Sequence, residues 1–576
     1  MALFKNNSTA SFDSSCDSDS SVSPSYTRTA CGATAPKGFT FTDEGALADR
    51  TQSPCLKFFS TVMARDKTSA MPDDNIRQCL SEAWAENPQL TLRLVAHLRD
   101  CREGKGERHA SKVCWQWLVD NHYEQVDENA QHLPFYGRWA DLVQFFTATS
   151  FQSNALALMA HQLRLDKALY DQSLKTEDPA ESRKLLGQIS LCAKWAPTEK
   201  CVYDKQASKA KHTTPSLQLA CMLFPQTEST PLALKQYRTE YLAPLRAALN
   251  IVESLLCAKK YEEVNFSKVP SVALKLYSAK CFPTHMAERF RTWQAEVMSG
   301  KAKANTSQVD PYEVVRLYVN GTATEEQKPT LEAFYKLQVE EFKRKYGTVG
   351  SSVCVVDVSG SMSGTPMEVA ISLGIWISDM ADPAWNLIYT FEETPHAVDL
   401  SSYTTLESRI SAVKQASWGG TTNLQATFDL MLCKAQKERL TDAQLPKRLV
   451  IISDMQFDQA CGSNCWTNLE TIKAKYRLAG YTMPEIVFWN VGRSVSGAAP
   501  APDTQAGVVM LSGYSKNLIP ILINGLPIPT PYDTMVQVLS SERYNKMTYV
   551  SHPSWASEYV EPAPLDSVYL SFHALK

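Results

Sequence analysis

At 576 residues the chain is too long for one compact domain, and 44% hydrophobic with 21% charged residues is the make-up of an ordinary globular protein, not of a disordered or fibrous one. A formal net charge of −3 is far from the strongly basic balance of a dedicated nucleic-acid binder. No apolar run of about eighteen residues is present to span a membrane.

Residues 1–40 are rich in Ser, Thr and Asp with few large apolar groups, so they cannot repay the entropy of ordering and are expected to form a disordered arm. The opening MALFKNNSTASFDSSCDSDSS has neither an apolar core nor an Arg-rich amphipathic pattern, and no secretory or organellar import signal is expected there. The 15 cysteines are scattered singly, mostly in apolar stretches such as LQLACMLF, which suits free buried thiols in a reducing compartment. The cytoplasm is the expected location, with the nucleus left open. Cys461 and Cys465 are the nearest pair, but no second Cys/His pair stands beside them to complete a zinc site.

From residue 41 to 345 the pattern is helical and faintly basic. In PQLTLRLVAHLRDC the apolar positions Leu90, Leu92, Leu94, Val95 and Leu98 gather mostly on one face. KVCWQWLVDN, NALALMAHQLRL, LAPLRAALNIVESLLC and RFRTWQAEVM repeat that texture, with Pro or Gly between many of them. Helix pairs stacked as a HEAT-like repeat, a solenoid or ring, are expected, although no strict period is visible.

From 346 to 525 short β-rich runs, SSVCVVDVS, NLIYTF, RLVIISDM and EIVFWNVG, alternate with helical stretches such as PMEVAISLGIWISDM and NLETIKAKYRLAGY. This alternation predicts a parallel sheet covered on both faces, so the fold class is α followed by doubly wound, Rossmann-like α/β. Residues 526–576 hold one helical candidate, DTMVQVLSSERYNKM, and an aromatic tail expected to pack back on the rest.

In a doubly wound sheet ligands sit beyond the carboxyl ends of the strands. Asp357 closes the first strand, Ser359 and Ser361 follow on the turn of DVSGSMSG, and Asp454 closes LVIISD. Between them in sequence the glycines of WGGTTN present Thr421 and Thr422. Carboxylates and hydroxyls without His or Cys are a hard oxygen set, suited to Mg²⁺ or Mn²⁺. A DxSxS turn alone can be a helix cap; the Gly-Thr loop and the second strand-terminal aspartate are what single this one out.

These residues resemble the metal-ion-dependent adhesion site of von Willebrand factor A domains. The resemblance implies Asp357, Ser359, Ser361, Thr422 and Asp454 as the coordinating set, with Thr422 chosen over Thr421 because it precedes Asn423. It also implies a protein partner whose acidic residue completes the metal's shell. The stretches LTLRLVAHLRDCREGKGER, YGRWADLV, LCAKWAPTE, VPSVALKLY and MPEIVFWNVG resemble a family of uncharacterised proteins of plants, fungi and large DNA viruses that joins a helical region to such a domain. More distantly the architecture is similar to the Ro autoantigen with its TROVE module, which binds small non-coding RNA.

That likeness makes single-stranded or small RNA a candidate second ligand, with a purely protein-binding scaffold as the alternative. The residues open to phosphate are Arg99, Arg102, Lys105 and Arg108 in LRDCREGKGER, and Lys194, Lys200, Lys205, Lys209 and Lys211, interleaved with Trp195 and Tyr203. Asp100, Glu103 and Glu107 lie among the first group, which can equally be a salt-bridged loop. No phosphate-loop, GxSxG or HExxH signature occurs, and a non-catalytic binding protein is expected. Metal-assisted hydrolysis at Asp357 and Asp454 is the remaining enzymatic alternative. His396, Glu392 and Glu393 are read as an exposed loop near the site, and Phe457 and Asp458 as rim.

Overall fold

The computed structural model describes residues 53–63, 71–306, 308–391, 395–415, 424–455, 468–492, 498–523 and 530–551, with short strands between residues 27 and 50. Within the N-terminal arm Thr27–Arg28 pairs with Thr34–Ala35, and at its end Phe39–Phe41 pairs with Leu47–Arg50, beyond it. The rest of the arm, to which the expectation of disorder applies, lies outside the described residues.

From Pro54 to Tyr346 the described chain is almost entirely helical. Proline at the first turn and a polar cap recur as start signals. In α1 (Pro54–Thr61) the Ser53 side chain accepts the Leu56 N–H, and in α3 (Pro88–Arg99), which follows α2 (Asp73–Glu86), Asn87 does the same for Leu90. The apolar face of α3 is fully used: Leu90, Leu92, Leu94, Val95 and Leu98 are all buried, each contributing about 1.5–3 kcal/mol relative to exposure. α4 (His109–Asn121), α5 (Tyr123–Asn129), α6 (Trp139–Phe146) and α7 (Gln152–Lys175) follow in the order that the apolar spacing suggests. LAPLRAALNIVESLLC is two helices, not one: it breaks between Ala243–Ala248 and Val252–Cys257, where Asn250 takes φ +47°.

The second half is a six-stranded sheet, β1 (Ser352–Asp357), β2 (Leu387–Phe391), β3 (Ala397–Asp399), β4 (Arg448–Ser453), β5 (Glu485–Asn490) and β6 (Val508–Ser512). The spatial order is β6-β5-β4-β1-β2-β3, parallel throughout except for β3, which runs antiparallel along the β2 edge. β1 and β4 are buried at every position, which is why they read as unbroken apolar runs.

The helix after β1, α10 (Thr365–Met380), is buried nearly all round because the last helices of the helical region, α8 (Pro311–Val319) and α9 (Lys328–Tyr346), cover it. Phe342 meets Trp376 edge-on at 4.6 Å, and Gly374 lets α10 approach β1 so closely that a Cβ there would stand 2.5 Å from Val356. One apolar core therefore runs through both halves.

The chain finally returns to the helical region. After α11 (Pro531–Leu539), Arg543 pairs with the fully buried Asp100, and Tyr544 donates to Asp100 Oδ2 at 3.1 Å while meeting His97 Nδ1 at 2.9 Å. Met547–Val550 is then held by its backbone. The side-chain amides of Asn129 and Gln125 each bond both the N–H and the C=O of Thr548 and Val550, at 2.7–2.9 Å, and Gln89 bridges Met547 and Tyr549.

Candidate functional site

β1 and β4 are parallel neighbours with Val356 opposite Ile452, so Asp357 and the residues that follow each strand leave the sheet at the same edge. Asp357 is completely buried. Its Oδ1 accepts the Ser359 N–H at 2.9 Å, and its Oδ2 accepts the Ser453 hydroxyl at 2.5 Å. Ser453 Oγ in turn accepts the Met455 N–H at 3.0 Å, bending the chain after Asp454 through a left-handed residue, Met455, at φ +65°. Ser359 Oγ and Ser361 Oγ lie 3.1 Å apart, the first buried and the second exposed. The turn thus carries a line of oxygens from the interior to solvent.

Asp454 is 7% exposed and close enough to Asp357 for its charge to matter. Burial first, and then the charge of Asp454, pushes the Asp357 carboxyl up from 3.8 to about 6, against the pull of its hydrogen bonds from Ser359 and Ser453. No Lys, Arg or His pairs with Asp357 among the described residues. Gly492, just past β5, packs its backbone against Asp454 so tightly that a Cβ would stand 2.0 Å from the aspartate's own. Two buried carboxylates at one sheet edge, near enough for one's charge to act on the other, with two hydroxyls on the adjoining turn, fit in kind and in charge a hard divalent cation.

Four of the five residues of the expected set, Asp357, Ser359, Ser361 and Asp454, therefore share one edge of the sheet. Thr422 and its rival Thr421 lie outside the described residues, as do Glu392, Glu393, Phe457, Asp458, Cys461 and Cys465. His396 is exposed, its backbone bonded to Thr390 at the margin of the sheet. Sequence reasoning missed Ser453, which ties the two strand ends together, and Gly492. Ser453 stands directly before Asp454, and its neighbour was the available clue.

The basic residues sort differently from expectation. Arg99 and Lys105 are not on a phosphate-facing surface: both are buried, Arg99 with its Nε and Nη2 on Asp141, and Lys105 with its Nζ on the carbonyls of Phe59 and Val62 and the Ser512 hydroxyl. The end of α3, for Arg99, and the loop after it, for Lys105, carry them inward because the carboxylate of α6 and the carbonyls at the end of α1 need donors there. Arg102 is exposed and donates to the Phe135 carbonyl at 2.7 Å, and Lys194 stands 3.3 Å from Glu253. Arg108, Lys200, Lys205, Lys209 and Lys211 are exposed.

Among the described residues no helix is long and apolar enough to cross a membrane. Residues 42–345 match a domain of unknown function, DUF2828, in two adjoining segments, and residues 351–554 match a second, DUF7788. An uncharacterized protein of Acanthamoeba polyphaga mimivirus is 30% identical over 560 residues, covering 92% of this chain and 89% of the viral one. In this chain a helical DUF2828 region precedes a DUF7788 domain, and the chain belongs to an uncharacterised protein family with a member in a giant virus.

Proposed function

We propose that this protein is a non-catalytic, divalent-metal-dependent binding protein, in which a von Willebrand A-like domain uses a Mg²⁺ or Mn²⁺ ion to engage an acidic residue of a partner protein. The observation that carries the proposal is Asp357: fully buried, within range of the charge of Asp454 and without a basic partner among the described residues, at the end of a parallel strand whose next turn holds Ser359 and Ser361. Asp357, Ser359, Ser361 and Asp454, with Thr422 from the loop outside the described residues, would hold the ion. The ion supplies a positive charge for a partner's carboxylate; the chain's own residues hold their oxygens in place and keep the inner carboxylate from water.

Binding rather than catalysis is favoured because no described histidine or third carboxylate hydrogen-bonds to Asp357 to move a proton. The HEAT-like helical region would carry a second ligand, protein or RNA.

The test is an array of short peptides, each with a single Glu or Asp, beside copies carrying Gln or Asn, probed with the full chain in Mg²⁺ and again in EDTA. Binding that needs both the acid and the metal, and is lost in Asp357→Ala, is expected. Binding that survives EDTA or ignores the acid-to-amide change would refute the proposal.

A further inference from the structure

Three separate stretches of the chain bring cations and rings together on the helical region, away from the sheet edge. Arg138, which precedes α6, lies over the Trp195 ring at 4.8 Å, and Lys194 Nζ stands 5.6 Å from the same ring. The carboxylate facing Arg138 is Asp141, 3.4 Å from its Nη2, and the Arg138 Nε is buried without a hydrogen-bond partner. Asp141 is already occupied: wholly buried, it accepts two bonds from Arg99 and the Arg138 N–H.

The Glu107 N–H bonds the Leu98 carbonyl at 2.8 Å, which brings Arg108, at the start of α4, to the end of the helix that carries Arg99, within range of the charges of Arg138, Arg99 and Asp141. It is exposed, and no hydrogen bond or ion pair holds its guanidinium among the described residues. Arg99 and Arg138 thus share the one carboxylate of Asp141, and Arg108 adds a third positive charge with no carboxylate of its own among the described residues. An anion would complete such an arrangement.

We propose that Arg108 and Arg138, with Trp195 and Tyr203 beside them, form a binding site for the phosphate of a nucleotide, free or within a single RNA strand. Guanidinium forks match the paired oxygens of a phosphate, which a point charge such as Lys does not. A ring next to the anion offers the base a stacking surface. The site shares no residue with the metal edge and does not rest on the metal-dependent proposal.

The test uses the full chain and fluorescence anisotropy of a labelled short oligouridylate, at about 50 and about 200 mM salt, with AMP, inorganic phosphate and phosphotyrosine as unlabelled competitors. Arg108→Gln, which breaks no bond in the fold, is expected to weaken binding by roughly tenfold and to lower the salt slope by about one. Trp195→Leu should weaken it too, whereas Lys211→Gln, on an exposed loop outside the cluster, should not. Competition by AMP identifies a free-nucleotide site, and binding of the strand alone identifies an RNA contact; both support the assignment. No binding by the wild type, equal binding by Arg108→Gln, or phosphotyrosine competing better than either nucleotide probe would overturn it.

Discussion

Asp357 is held by two donors and has no basic counterpart among the described residues, so its chemistry depends on what the neighbouring oxygens are built to share. Gly492 offers the most selective probe of that geometry, because any side chain there collides with Asp454 backbone and Cβ. Gly492→Ala should cost about 1–3 kcal/mol as overpacking and should weaken Mg²⁺ binding by displacing Asp454. A denaturant midpoint and a Mg²⁺ titration check both effects; a destabilised variant with unchanged metal affinity would detach Asp454 from the site. The carboxylate and hydroxyl positions were legible in the sequence because DVSGSMSG and LVIISD end apolar strands on carboxylates and hydroxyls. Ser453 and Gly492 were not, since they act through strand register and close backbone approach, which no spacing displays. Arg99 and Lys105 were misread for a related reason: a charge at a helix end or in a loop looks the same in sequence whether it meets water or a buried acceptor.

The elements most readily read were those buried on both faces. β1, β2, β4 and β5 show as continuous apolar runs, and α3 as a regular amphipathic face. β3 is only three residues, AVD, on an antiparallel edge, too short and too polar to stand out. β6, VVMLS, is fully buried but sits in a stretch crowded with Pro, Asp and Gly, whose turn signals masked it. The returning C-terminal segment is tied down by the ion pairs of Arg543 with Asp100 and Glu103, by hydrogen bonds of Tyr136 and Tyr544 and by an amide ladder, all invisible from sequence, since their partners lie more than 400 residues apart. Arg543→Ala leaves the buried Asp100 carboxylate without its cation, at a cost on the order of 3–5 kcal/mol. Hydrogen exchange should then quicken across residues 539–550, while the sheet's protection is unchanged. Unaltered exchange there would mean that the amides, the Tyr544 hydrogen bonds and the buried apolar side chains hold the segment without the ion pair.

At the scale of the molecule, the helical region and the sheet share one core, and Lys105 is a polar pin through it, joining α1 to the end of β6. Burial holds the Lys105 ammonium down from 10.5 to about 7, with Glu107 pulling the other way. Between those values the unfolded chain carries the proton and the folded chain does not, so folding stability rises with pH across that window and loses this contribution below about 7. The rise is at most about 1.4 kcal/mol per pH unit. Denaturant melts at about pH 7.5 and 9.5 should show a more positive slope in the wild type than in Lys105→Met, where Lys516, which burial holds down to about 8, still contributes; an equal slope in both would assign the effect to another group.

Binding of the metal underlies the proposed use of the sheet edge, and Mn²⁺ measures it most directly through the loss of its free-ion electron paramagnetic resonance signal. Titrated into the full chain, Mn²⁺ is predicted to bind at a single site, to be displaced by excess Mg²⁺, and to bind Asp357→Ala no better than buffer. A wild type that takes up no Mn²⁺, or an Asp357→Ala variant that takes it up equally, would contradict the account.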